Sequence, residues 1–103
     1  MLRRVGAAED LQRLELLVGR VVAVEEHRGA RAPAWFLTVE LGSRGTREAS
    51  MPRGDYAADA LVGRQIVGVL DGDGLLVLGA HSHAGGVVLL APDSEVEDGT
   101  TVA

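Results

Sequence analysis

Apolar residues along this chain come in short runs rich in Val and Leu, separated by glycine-bearing turns. The longest, Leu16-Leu-Val-Gly-Arg-Val-Val-Ala-Val-Glu-Glu, is long for a strand. Gly19 inside it predicts a bulge or sharp bend, since a missing Cβ lets the backbone coil tightly. Small barrels turn a strand from one sheet into the next at such a point. Trp35, Leu37, Val39 and Leu41 alternate with Phe36, Thr38 and Glu40. That period of two predicts a strand with one apolar face. Thr46 to Met51 reads as a weaker strand after the turn Gly42-Ser-Arg-Gly, and His27 to Pro33 reads as a loop.

Gln65-Ile-Val-Gly-Val-Leu, Leu75-Leu-Val-Leu and Val87-Val-Leu-Leu suit buried strands. Asp71-Gly-Asp-Gly and Ala84-Gly-Gly supply turns between them. Two short helices are expected. Glu9 to Leu16 has Leu11 and Leu14 at i and i+3, and Gly54 to Leu61 has Asp55 as an N-cap and Gly63 as a stop. Strands dominate, so the pattern predicts an all-β barrel or sandwich with minor helix. Five or six strands suit a small closed barrel better than a seven-stranded sandwich.

A length of 103 residues leaves room for one core. The expected organisation is a flexible N-terminus over 1–8 and one domain over 9–103. With 47% hydrophobic and 24% charged residues, the composition is globular and not disordered. No Cys is present, which excludes disulfides, thiolate metal sites and Cys nucleophiles. Met1-Leu-Arg-Arg opens like a charged leader, but Glu9 and Asp10 arrive before any apolar stretch. No run approaches membrane-spanning length, so a cytoplasmic protein is expected, without membrane contact.

The net charge of −5 argues against a wholly basic nucleic-acid binder, yet its distribution matters more. All ten basic residues are Arg. Residues 20–53 carry six Arg against four acids, whereas residues 54–103 carry only Arg64 against eight acids. A polyanion would therefore meet the first half of the chain.

Catalytic patterns are missing. Ser43, Ser50, Ser82 and Ser94 lie in no nucleophile-elbow context, and neither a Walker loop nor a dinucleotide fingerprint occurs. Asp71-Gly-Asp-Gly lacks the further ligands of a calcium loop. His81-Ser-His83 could present two imidazoles on one strand face, but no third ligand stands at a fixed spacing. A polar hairpin is the plainer expectation, with neither metal nor cofactor. A binding role has more to work with. Arg28 and Arg31 flank one loop, Arg44 and Arg47 the next turn, and rim loops can bring such guanidiniums together onto phosphates. Phe36 offers a face for base stacking.

The order of segments resembles the tRNA-binding domain family. Val18-Gly-Arg-Val-Val-Ala-Val-Glu, then Ala30-Arg-Ala-Pro-Ala, then Leu37-Thr-Val-Glu-Leu-Gly is similar to the family's opening. Leu14-Glu-Leu-Leu-Val-Gly, Leu61-Val-Gly-Arg-Gln-Ile-Val-Gly-Val, Val77-Leu-Gly, Gly86-Val-Val-Leu-Leu-Ala-Pro-Asp and Val96-Glu-Asp-Gly-Thr follow in the order seen in its CsaA-like secretion-chaperone branch. The resemblance covers roughly residues 9–101, and it implies a five-stranded OB-fold barrel with short capping helices, working as a homodimer. It further implies binding of tRNA or other structured RNA, with Arg28, Arg31, Arg44 and Arg47 on phosphates and Phe36 and Ser50 as secondary contacts. Unfolded or precursor peptides are the alternative partners, and a structural dimer with lapsed RNA binding is the third. Two departures stand out. Glu48 replaces a neutral or basic neighbour, and a longer Lys- and Arg-rich stretch between the fourth and fifth strands has shrunk to Asp71-Gly-Asp-Gly. Each lost phosphate contact removes about one unit of salt-dependence slope, so RNA affinity should be weakened at that place.

Overall fold

Strand β1 (Leu16–Glu26) belongs to two halves of a barrel at once. Its first five residues pair antiparallel with β4 (Gln65–Asp71), and Arg20 to Glu26 pair antiparallel with β2 (Ala34–Glu40). β3 (Thr46–Pro52) continues the sheet beyond β2, and β5 (Gly74–Val77) continues it beyond β4. The order is β3-β2-β1-β4-β5, and β3 and β5 come alongside each other, so the sheet nearly closes. This all-β architecture is the OB-like barrel that was expected. The computed structural model describes residues 6–83 and 86–102.

The expected bend of β1 has two components. The register slips between Val21 and Ala23, so the bulge falls three residues after Gly19. Gly19 is required for a different reason: a Cβ there would lie 2.5 Å from Val39 Cγ1 and 2.7 Å from Leu41 Cδ2. Only a glycine lets β1 pass this close to the end of β2. Leu17, Val21, Leu37, Val39, Leu41, Leu61 and Ile66 fill the barrel and are fully buried.

Helix α1 (Ala7–Arg13) starts two residues before Glu9 and stops three before Leu16. Glu9 and Asp10 fall in its first turn and Arg13 in its last, the arrangement that the helix dipole favours. Of the N-terminus expected to be flexible, residues 1–5 lie outside the described residues. Helix α2 is a single turn, Ala58–Leu61, with Ala57 and not Asp55 at its N-cap. Gly63 follows it with φ +88° and a backbone bond to Val21, as its composition predicted.

The later runs differ most from expectation. β7 (Gly86–Leu89) pairs with β6 (Gly79–Ser82) in a separate two-stranded sheet, and Ala84 and Gly85 of its turn lie outside the described residues. Neither β5 nor β7 is a fully buried strand. Leu75 is buried, but Leu76, Val88 and Leu90 are 56%, 47% and 43% exposed. The β6–β7 hairpin joins the flank of β4 through Val67–Leu90 and Leu78–Val67 backbone bonds, leaving every second side chain outward.

The C-terminal segment is stitched to the start of β1. Gly99 N–H donates to Val18 O, Val18 N–H to Thr100 O, and Val102 N–H to Leu16 O. Arg20 completes the fastening by donating to Gly63 O (2.8 Å), Asp98 (3.3 Å) and Glu95. Gln65, which is buried, donates to Asp98 Oδ1 at 2.9 Å and to Val96 O at 2.6 Å.

Candidate nucleic-acid interface

The loop over residues 27–33 leaves β1 and returns into β2, closed by a His27 N–H to Ala34 O bond. Arg28 and Arg31 project from it and are exposed. Arg53 N–H donates to Pro33 O, which brings the end of β3 beside the loop. Together Glu26, His27, Arg28, Arg31, Pro33 and Arg53 border a shallow cleft of about 250 Å³. Arg53 is the best anchored of the three cations. Its guanidinium lies 4.3 Å from the Trp35 ring centroid and 3.0 Å from Glu26.

Strand alternation decides which aromatic ring faces outward. Trp35 has the parity of buried Leu37, and its Nε1 donates to Tyr56 O at 2.8 Å, so it closes the end of the barrel. Phe36 has the opposite parity and lies half-buried on the outer face, directly across from Ser50 of β3. His27 packs beside it, ring centroids 5.3 Å apart and tilted by 47°. A 2.8 Å hydrogen bond between His27 Nδ1 and Ser50 Oγ holds that imidazole in place. Phe36 and Ser50 are thus brought together with Arg28 and Arg31.

Arg44 and Arg47 are not. They follow the far end of β2, separated from the first loop by seven strand residues, roughly 20 Å of extended chain. Arg44 pairs with Glu15 at 2.8 Å, and Arg47 donates to the carbonyls of Arg44 and Thr46. Its Nε is buried without a partner among the described residues. Four guanidiniums converging on one rim is therefore not the arrangement found, because antiparallel hairpins alternate their loops between the two ends of the barrel.

His27 and Arg53 are the members that sequence reasoning missed. Residue type gave little warning for either. Their signal was position, one just past Glu26 at the start of the loop and one just past Pro52 beside it.

Acidity borders the site on its other side. The β4–β5 turn carries exposed Asp71 and Asp73, and a Cβ on Gly74 would come 3.3 Å from Glu48 O. The turn therefore abuts β3 at exposed Glu48, two residues from Ser50.

Elsewhere, Arg20 sits among acidic partners. Its side-chain hydrogen bond with Glu95, assisted by Asp98, raises the guanidinium above its ordinary value, so it stays charged. Among the described residues, no three His, Asp or Glu side chains stand close enough to share a metal ion. No described helix is long and apolar enough to cross a membrane.

No protein-family model matches the chain. Solved structures do. The chaperone CsaA of Bacillus anthracis str. Ames is 33% identical over 97% of this chain and 100% of that one, with a TM-score of 0.83. The CsaA chaperone protein of Picrophilus torridus is 28% identical, covering 96% of this chain and 100% of that one, at 0.86. A MetRS-related protein from Pyrococcus horikoshii shares the fold at 19% identity and 0.76, over 98% of this chain and 100% of that one. With 33% identity across nearly the whole of both molecules, this chain belongs to the CsaA-like family of tRNA-binding-type OB-folds.

Proposed function

We propose that this protein is a non-catalytic, dimeric, cytoplasmic RNA-binding protein whose ligand is tRNA or another structured RNA. One observation carries the reading: the His27–Phe36 ring pair lies on the outer β2–β3 face beside the Arg28–Arg31 loop. OB-folds take nucleic acid on that face and its adjoining loops, combining stacked rings with phosphate-binding cations. Arg28 and Arg31 are the principal phosphate ligands, Arg53 assists them, and Phe36 and Ser50 support the base. Arg44 and Arg47 are left as peripheral contacts. No cofactor takes part and no residue is given a catalytic role.

The test is retardation of tRNA at about 50 mM and about 200 mM salt, wild type against Arg28→Ala/Arg31→Ala. Binding should weaken with salt, and the double variant should lose about two units of slope. Absence of retardation at the lower salt would end this reading.

Another observation favours a second reading, binding of unfolded or precursor peptides. Leu14, 51% exposed, borders a cleft of about 330 Å³ with Gln12, Glu15, Leu17, Arg44 and Val102, and the Bacillus and Picrophilus relatives are described as chaperones. This role predicts that the protein suppresses aggregation of an unfolded client with little salt dependence. A Leu14→Asp variant should lose the effect. In either role, dimerisation would cover part of the apolar surface that includes Leu76 and Leu90. Light scattering at micromolar concentration should give twice the 10.8 kDa chain mass.

A further inference from the structure

We infer that His27 is a proton-gated phosphate ligand, so that the interface grips RNA more tightly as pH falls. The inference rests on the RNA reading above and adds a regulation of that same site.

His27 is fixed in place before any ligand arrives. Its backbone N–H donates to Ala34 O, and its carbonyl accepts from Ala30 N–H. Nδ1 is hydrogen-bonded to Ser50 Oγ at 2.8 Å, and the ring packs beside Phe36. With Nδ1 engaged, Nε2 is the ring nitrogen left to meet a ligand. It lies toward the loop, since a Cβ on Gly29 would stand 4.0 Å from it. His27 thus borders the same cleft as Arg28, Arg31 and Arg53. A side chain held this way loses little further freedom on binding.

Protonation decides what Nε2 offers. A neutral imidazole carries one proton. On Nδ1, that proton leaves Nε2 a bare acceptor, which repels a phosphate oxygen. On Nε2, it makes an uncharged donor while Ser50 turns its hydroxyl toward Nδ1. Imidazolium donates from both nitrogens, to Ser50 and to phosphate, and the second bond is charge-assisted. Ser50 can donate or accept, so the ring gains its proton without moving.

The surrounding charges leave the switch to the imidazole. Glu26 is paired with Arg53 at 3.0 Å. Exposed Glu25 stands across from Phe36, two residues before His27, and opposes an anion. Glu48 lies two residues before Ser50, with Asp71 and Asp73 in the turn beyond it. These carboxylates and the three guanidiniums set the strength of the site. Carboxylates ordinarily titrate near pH 4 and guanidiniums far above neutrality, so of these side-chain types imidazole alone changes charge between about pH 5 and 8. His81 and His83, the other two imidazoles, are exposed at the end of β6.

The experiment is tRNA retardation at about pH 5.5 and about pH 8, each at two salt concentrations. Wild type should bind roughly 5- to 12-fold more tightly at the lower pH, the gap between a charge-assisted and a neutral hydrogen bond. Its salt slope there should be steeper by about one unit. His27→Gln keeps a donor that does not titrate, and should bind equally at both pH values. His81→Gln/His83→Gln should retain the wild-type pH dependence. Wild-type affinity or slope that is the same at both pH values overturns the inference and leaves RNA binding intact. So does a pH dependence that survives in His27→Gln or vanishes in His81→Gln/His83→Gln. Absence of retardation at both pH values overturns the RNA reading as well.

Discussion

His27 Nδ1 and Ser50 Oγ lie 2.8 Å apart, joining the loop residue just after β1 to the outer face of β3 beside Phe36. The residues are 23 positions apart in sequence. Their hydrogen bond converts two unremarkable polar side chains into a support for an aromatic platform. Ser50→Ala removes the support without touching the core. A lost hydrogen bond of this kind is worth about 0.5–1.5 kcal/mol. Because that contribution is to folding, the melting temperature should drop by about 2–12 °C, and RNA affinity should fall as the imidazole loses its support. Fluorescence anisotropy beside a melting curve checks both halves.

Burial separates Leu61 from Leu76. Leu61 is 0% exposed where α2 packs on β1, and Leu76 is 56% exposed on β5. Leu61→Ala should cost about 2–5 kcal/mol through lost burial and the cavity left behind. At about 4–8 °C per kcal/mol, the melting temperature drops by at least about 8 °C. Leu76→Ala should change monomer stability by less than about 0.5 kcal/mol. A large concentration-dependent effect of Leu76→Ala would instead place that side chain in a subunit interface.

Gly19→Ala tests the close crossing of β1 over β2. The new methyl would need Val39 and Leu41 to move while Glu40 O stands 3.2 Å away. Overpacking of this kind costs about 1–3 kcal/mol. Denaturant unfolding should show a lower midpoint with the same slope, since the barrel is strained and not opened.

Arg20 governs the C-terminal segment. A base whose pKa is raised in the folded state stabilises fully below its unfolded value and loses that contribution only as pH rises through the folded one. For Arg20 that window lies far above neutrality, so its own titration gives no pH dependence in the ordinary range. Arg20→Ala should therefore loosen the segment at every ordinary pH. Hydrogen exchange at Gly99 and Val102, which bond to Val18 and Leu16, should speed up while amides between β1 and β2 stay protected.

Much of the barrel was legible in the alternation itself. Trp35 to Leu41 follows period two, and the structure puts Leu37, Val39 and Leu41 inside with Phe36 outside. Gly19 and Gly63 mark a close crossing and a helix end, because each occupies a place that a side chain would obstruct or strain. The Val87 run was less informative. An apolar stretch of four residues does not say whether one or both of its faces is covered, and here its alternate residues face solvent.

By itself, then, the sequence determined the five strands of the barrel, the inward and outward faces of β2, and the contrast between an Arg-bearing first half and an acidic second half. Those properties are local: side-chain alternation and charge are carried by neighbouring residues. Only the tertiary structure decided which Arg residues share a site. Loops at opposite ends of β2 keep Arg44 and Arg47 away from Arg28 and Arg31, while closure of the barrel brings in His27 and Arg53. That same closure sets the Asp71–Gly74 turn against Glu48, so the acidity of the second half ends up bordering the basic loop. Position around a closed sheet depends on register and on how its edges meet, and neither is written in any single segment of the chain.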